Sequence, residues 1–213
     1  MRIGKLAGWY RWIEYAAFGR ELETRRFAFL PRLACAQRVL ILGEGDGRTL
    51  ARLLKLAPMT HFDVVEVSPE MIDLAQQRID NPDRVTFHCR DARSANWPIG
   101  YYDGIVTNFF LDCFTEEDAR ELIRQLASAL ADGGIWLIGE FALPQNGWRR
   151  SHAQLWIQTM YYFFRATTGL RARALPPIET LMLGAGMHRV AQEKRRAGLM
   201  VSEVWTRGGS RVH

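Results

Sequence analysis

The stretch RVLILGEGDGRTLARLLKLA, residues 38–57, decides the fold. An apolar run, RVLILG, ends in Gly43-Glu44-Gly45-Asp46-Gly47, and a helical pattern begins at Arg48. A run without strict alternation suits a strand buried on both faces. A glycine loop between such a strand and a helix lets backbone approach a ligand closely, because no side chain stands in the way. Tight strand-to-helix turns also use glycine for structural reasons, so the loop alone proves little.

Outward from this unit the rhythm repeats as far as Glu140. Apolar runs at HFDVVEV (61–67), RVTFHC (84–89), YDGIVTNFF (102–110) and IWLIGEF (135–141) alternate with helical patterns at 48–56, 69–79 and 115–130. Such alternation predicts a parallel sheet covered by helices. The second helix opens with Ser68-Pro69-Glu70, an N-cap, a first-turn proline and an early acid. The third opens on Thr115-Glu116-Glu117-Asp118 and is expected to stop at Asp132-Gly133-Gly134. The tail, RVAQEKRRAGLMVSEVWTR (189–207), reads as two strands turning at Ala197-Gly198. The expected fold is α/β: a Rossmann-like, doubly wound, mostly parallel seven-stranded sheet with a C-terminal antiparallel hairpin.

At 213 residues, 48% hydrophobic and 24% charged, the chain is composed like a globular protein, which sets aside disorder and fibrous repeats. A single domain over 1–213 is expected, with a helical cap at 1–33 and a helical insertion at 144–186. Cys35, Cys89 and Cys113 are too few and too scattered for a disulfide framework or a zinc cluster, so no metal is expected and the compartment reads as reducing and cytoplasmic. Arg11 and Glu14 interrupt the opening segment where an export signal needs an apolar run. The most apolar stretch, LWIQTMYYFF (155–164), has about half the length of a membrane span, so no transmembrane segment is expected. The net charge is +5, and only Lys5, Lys55 and Lys194 of the 28 basic residues are lysines. These charges are spread along the chain, so nucleic acid is not an expected partner. Transient attraction to an anionic membrane surface stays open.

Glu66 sharpens the glycine loop. It ends the second strand, where an acid can take both hydroxyls of a ribose. A dinucleotide would set its pyrophosphate on the loop and the following helix N-terminus. Glu44 and Asp46 would meet that phosphate with like charge, at a cost of a few kcal/mol. Arg48 also stands where the last glycine of GxGxxG would be. A ligand with a ribose, no phosphate and a cationic end fits better, and S-adenosylmethionine is such a ligand.

On these residues the chain resembles the class I S-adenosylmethionine-dependent methyltransferases over 38–141, and its closing hairpin matches the antiparallel end of that family. The resemblance implies S-adenosylmethionine as cofactor and S-adenosylhomocysteine as product. It implies that Gly43, Gly45 and Gly47 wrap the methionine part and that Glu66 holds the ribose. Val67 and Met71 would lie against the adenine, with Asp91, Ala92 and Arg93 at its amino group. Asn108, Phe109 and Phe110 would pass beside the sulfonium. The family often has an acid two positions before the first glycine, where this chain has Ile41. Contact with the methionine ammonium then falls to Glu44 or Asp46.

The acceptor is read from the additions. Trp9, Tyr10, Trp12, Tyr15 and Phe18 in one, and Trp148, Trp156, Tyr161, Tyr162, Phe163 and Phe164 in the other, form helical aromatic stripes. Stripes of this kind often pack as core; where they line a pocket they suit a small hydrophobic or aromatic acceptor, quinone-like, phenolic or lipid. The additions are loosely similar to those of quinone-biosynthesis C-methyltransferases and phospholipid N-methyltransferases. Tyr10, Tyr15, Asp112 and His152 are the substrate candidates, and no catalytic residue is assigned. The alternatives are an NAD(P)-dependent oxidoreductase, an aminopropyl transferase, a non-catalytic S-adenosylmethionine-binding scaffold and an RNA methyltransferase.

Overall fold

The computed structural model describes residues 20–141, 175–195 and 200–208. Its strands are β1 (Arg38–Leu42), β2 (His61–Glu66), β3 (Val85–Cys89), β4 (Tyr102–Asn108), β5 (Leu130–Phe141), β6 (Met187–Arg195) and β7 (Met200–Arg207). They form one seven-stranded sheet in the order β3-β2-β1-β4-β5-β7-β6. The first five pair in parallel, and β7 runs antiparallel between β5 and β6. This is the expected mostly parallel sheet with its antiparallel end. The strand order reverses between β1 and β4, where open α/β sheets place their ligands.

The described helices are α1 (Arg20–Phe27), α2 (Arg48–Leu56), α3 (Pro69–Arg78), α4 (Glu116–Ala129) and α5 (Ile178–Gly184). Both faces of the sheet are buried. Val39 and Ile41 of β1 pack with Leu50 and Leu53 of α2, while Leu40 and Leu42 face a second core with Leu122, Ile123 and Leu126 of α4. Adjacent β1 residues thus serve opposite cores, which is why the strand reads as an unbroken apolar run.

Three details differ from expectation. α4 ends at Ala129, and Asp132-Gly133-Gly134 lies inside β5 instead of closing the helix. Leu130 is fully buried opposite Tyr102, and the register then shifts so that Gly104 meets Ile135. Gly133, at φ 77°, lets the intervening chain bulge. β4 stops at Asn108, because Phe109 takes φ 53° and leaves the extended conformation. The closing hairpin starts at Met187, two residues early. The first front helix, Tyr10, Tyr15, the stretch 144–174 with His152, and the Ala197-Gly198 turn lie outside the described residues.

α1 spans the sheet's far end and the site. Arg25 pairs with Glu193 of β6 at 2.8 Å, and Ser202 of β7 donates its hydroxyl to the Arg25 carbonyl at 3.0 Å. Its neighbour Arg26 lies over the Phe109 ring, 5.7 Å from the centroid.

Candidate active site at the carboxyl ends of the central strands

The glycine loop is built to leave room. Gly43, Gly45 and Gly47 all have positive φ, and a Cβ on Gly45 would meet nothing within 4 Å. The N-cap of α2 is Gly47, which has no side chain to cap with. Glu44 supplies the missing acceptor: its Oε1 takes the Leu50 N–H at 2.9 Å. Glu44 is buried, and that burial pushes its carboxyl up to about 8 against the Leu50 N–H and the charge of Arg26. Asp46 accepts from Arg48 at 3.0 Å and from Arg78 at 3.1 Å. The loop is therefore less negative than its sequence. One acid is protonated near neutral pH by burial, and the other is matched by two guanidiniums.

Glu66 is the hub of the cleft. Its Oε2 accepts from Gly45 N at 3.2 Å, and its Oε1 accepts from Val67 N at 2.9 Å and Ser68 N at 3.1 Å. A carboxylate has about four acceptor sites, so with these three taken it keeps one, on Oε2, for a ligand hydroxyl. Val67 beside it is 67% exposed, unusual for an aliphatic side chain at the end of a buried strand. Met71, half-buried, follows one helical turn on and caps onto Ser68 through its N–H.

Past β3, Asp91 caps a short turn over Ala92–Ser94 and is clamped by Arg93 at 2.6 Å, which holds its carboxyl below the ordinary range. Arg93 also pairs with Asp118 at 3.2 Å. Ala92 is buried beneath.

The loop after β4 carries the remaining groups. Phe109 N donates to Gly139 O at 2.6 Å, and its ring packs on Phe141 with centroids 4.8 Å apart. Phe110 lies against the glycine loop, where a Cβ on Gly43 would sit 2.4 Å from its Cδ2. It also packs edge-on to Phe114 at 5.0 Å. Asp112 is buried, and Cys113 donates to its Oδ1 at 3.5 Å. Glu140 of β5 lies behind them, accepting from Phe110 N and Leu111 N. Sequence reasoning passed over Arg26, Cys113 and Glu140. The readable signal for Glu140 is an acid inside the apolar run IWLIGEF, since an acid is seldom buried without a role.

Cys113 gives a direct check on this geometry. The residue reaches the surface, while its sulfur is desolvated and lies among Asp112, Glu140 and Glu66, which together push its thiol up. Only the thiolate reacts with disulfides. Labelling with a thiol-exchange reagent at pH 8 is expected to modify Cys113 at least about tenfold more slowly than exposed Cys35 and Cys89. Equal rates would mean that the acids do not surround it.

A family model described as a methyltransferase domain matches residues 39–134. The malonyl-[acyl-carrier protein] O-methyltransferase of Bacillus cereus is 34% identical over 104 residues, covering 49% of this chain and 37% of that protein. Polyamine aminopropyltransferase 2 of the same species is 31% identical over 116 residues, covering 47% of this chain and 31% of that protein. The chain thus spans about a third of the length of these curated relatives. Among solved structures, the N-methyltransferase NodS from Bradyrhizobium japonicum, in complex with S-adenosylhomocysteine, superposes with a TM-score of 0.67. That match covers 91% of this chain and 89% of NodS at 16% identity, a likeness of fold.

The residues present fit the donor these comparisons imply. Gly45 leaves space beside Glu66, Val67 stands exposed next to it, and no cation occupies the Glu66 carboxylate among its described hydrogen bonds. Fold, loop and family match agree: residues 39–134 match a methyltransferase domain, and the sheet order and the glycine loop are consistent with that match.

Proposed function

We propose that this chain transfers a methyl group from S-adenosylmethionine to a small apolar or aromatic acceptor, phenolic, quinone-like or lipid. The observation that carries the acceptor class is the aromatic wall beside the glycine loop: Phe109 on Phe141, and Phe110 on Phe114. Aromatic walls bury flat apolar ligands well. Glu66 would hold a ribose hydroxyl through its remaining acceptor site, Val67 and Met71 the adenine face, and the loop glycines the methionine end. Bound there, the donor supplies a methyl group already activated by its sulfonium. The chain's part is then to align the acceptor and exclude water. The additions at 1–33 and 144–186 would complete the acceptor pocket.

Calorimetric titration with S-adenosylmethionine, S-adenosylhomocysteine and NADH tests the donor. Binding of the first two and none of the third is expected, and the reverse would revive the oxidoreductase reading. Glu66→Ala is expected to weaken S-adenosylhomocysteine binding roughly 10–150-fold, about 1.5–3 kcal/mol, for hydrogen bonds lost from a charged group. Unchanged affinity in a folded variant would sink the ribose assignment. One observation favours a second reading, aminopropyl transfer from decarboxylated S-adenosylmethionine: the buried acids Asp112 and Glu140 give the site an acidic floor suited to a polyamine. Tighter binding of the decarboxylated donor than of S-adenosylmethionine would decide for it.

A further inference from the structure

Two carboxylic acids share the floor of the site, and no motif accounts for the deeper one. Glu140 is 3% exposed; its Oε1 accepts from Phe110 N at 3.3 Å and Leu111 N at 2.9 Å. Its Oε2 is buried with no hydrogen-bond partner among the described residues. Those two amides open the short turn Leu111–Cys113, which carries Asp112, 9% exposed. An unpaired buried carboxylate is expensive, and two side by side do not both ionise near neutral pH.

The order of ionisation follows from the surroundings. Burial lifts Asp112 to about 6, while burial and the Asp112 charge lift Glu140 well above the ordinary range. As pH rises Asp112 loses its proton first and Glu140 keeps its own. Among the described residues, the titratable groups beside the pair include the Cys113 thiol and, within electrostatic reach of that thiol, Glu66. The nearest cations on the surrounding rings are Arg26 over Phe109 and Arg93 over Phe114, the latter held by Asp91 and Asp118. The pair adjoins solvent, since Cys113 is exposed.

We propose that Asp112 is the catalytic base that takes the proton from a protic methyl acceptor, a hydroxyl or an amine, and that Glu140 is its positioning residue. The proposal rests on the methyl-transfer reading above. The acceptor's lone pair forms the new bond to the methyl carbon, and the carbon–sulfur bond breaks with its electrons left on sulfur. The proton of the acceptor atom passes to the Asp112 carboxylate. Glu140, neutral, fixes the turn through the Phe110 and Leu111 amides and adds no second charge beside the forming carboxylic acid.

The test uses the whole chain with S-adenosylmethionine and two acceptor probes: phenol and 4-nitrophenol. With phenol the wild-type rate is expected to rise with pH through a limb near 6. Asp112→Asn is expected to abolish that limb and lower kcat/KM about 100-fold or more. With 4-nitrophenol, which ionises unaided, the loss is expected to stay below about tenfold. Glu140→Leu removes the acceptor of the two amides and is expected to move the limb, and Glu140→Gln, which keeps an oxygen for them, is expected to move it less. S-adenosylhomocysteine affinity is expected to stay within about threefold in every variant, which separates this role from donor binding. Independently of any acceptor, carboxyl carbon NMR of the protein alone is expected to show a titration near pH 6 that Asp112→Asn removes. A wild-type rate with phenol in Asp112→Asn, or an Asp112 that titrates below about pH 4.5, overturns the proposal. A wild type that binds no S-adenosylhomocysteine defeats the methyl-transfer reading instead, and the NMR titration still decides the acid pair.

Discussion

At about pH 8.5 the Glu44→Gln variant is expected to be more stable than the wild type by roughly 2–4 kcal/mol, and near pH 4 the two are expected to unfold alike. The sign follows from burial. Glu44 is pushed up to about 8 in the folded chain, mainly because desolvation disfavours its charge. An unfolded glutamate titrates near 4.3, so below about pH 4 both states carry the proton and the group contributes nothing. Between the two values the unfolded chain releases a proton that the folded chain keeps, and stability falls as pH rises. Above about 8 the penalty is complete. Glutamine keeps an oxygen for the Leu50 N–H and cannot ionise. Urea unfolding of both proteins across this range checks the prediction; parallel curves would mean that Glu44 is not desolvated.

The same variant reports on the donor. If the methionine ammonium rests on Glu44, binding must drive that carboxyl to its charged form. S-adenosylhomocysteine binding at neutral pH would then release about one proton from the wild type and none from Glu44→Gln. Calorimetry in two buffers of different ionisation heat measures the release. Equal release from both proteins would move the ammonium away from Glu44.

The sheet is legible in the sequence because burial on two faces demands unbroken apolar runs, and, β4 apart, each such run ends within a residue of its strand's end. Glu66 is legible for a related reason: an acid that closes an apolar strand beside a glycine loop has few structural uses. The loop charge is less legible. Glu44 and Asp46 look alike in sequence, yet one is buried under α2 and the other is met by Arg48 and by Arg78, 32 residues away. Their repulsion of a phosphate is smaller than two bare charges suggest, and Glu66 carries more of the discrimination. Arg26 is hidden for a topological reason. It reaches Phe109 only because Arg25 next to it anchors α1 to Glu193, 168 residues on. Asp112 stood out by its place after β4, but its buried partner Glu140 arrives from the neighbouring strand and has no spacing that announces it.

Gly47→Ala is expected to cost about 2–5 kcal/mol of stability, the largest effect of any single methyl group in the loop. Two penalties add. Gly47 has φ 85°, a conformation that costs an L-residue about 1–2 kcal/mol. Its Cβ would also lie 2.6 Å from the Ala75 Cα and 2.9 Å from the Ala75 Cβ, both in α3. A backbone atom cannot swing aside as a side chain can, so α2 and α3 would have to separate, at about 1–3 kcal/mol more. Gly45→Ala is the internal control. At φ 67° with nothing within 4 Å, it bears the backbone penalty alone and is expected to lose about 1–2 kcal/mol. The two variants should also part in binding. Gly45→Ala puts its methyl group into the space beside Glu66, so it should weaken S-adenosylhomocysteine binding more than it weakens the fold. Gly47→Ala should do the opposite. Thermal unfolding with and without S-adenosylhomocysteine reads both quantities. A Gly47→Ala protein as stable as Gly45→Ala would mean that α2 and α3 do not meet as closely as the loop requires.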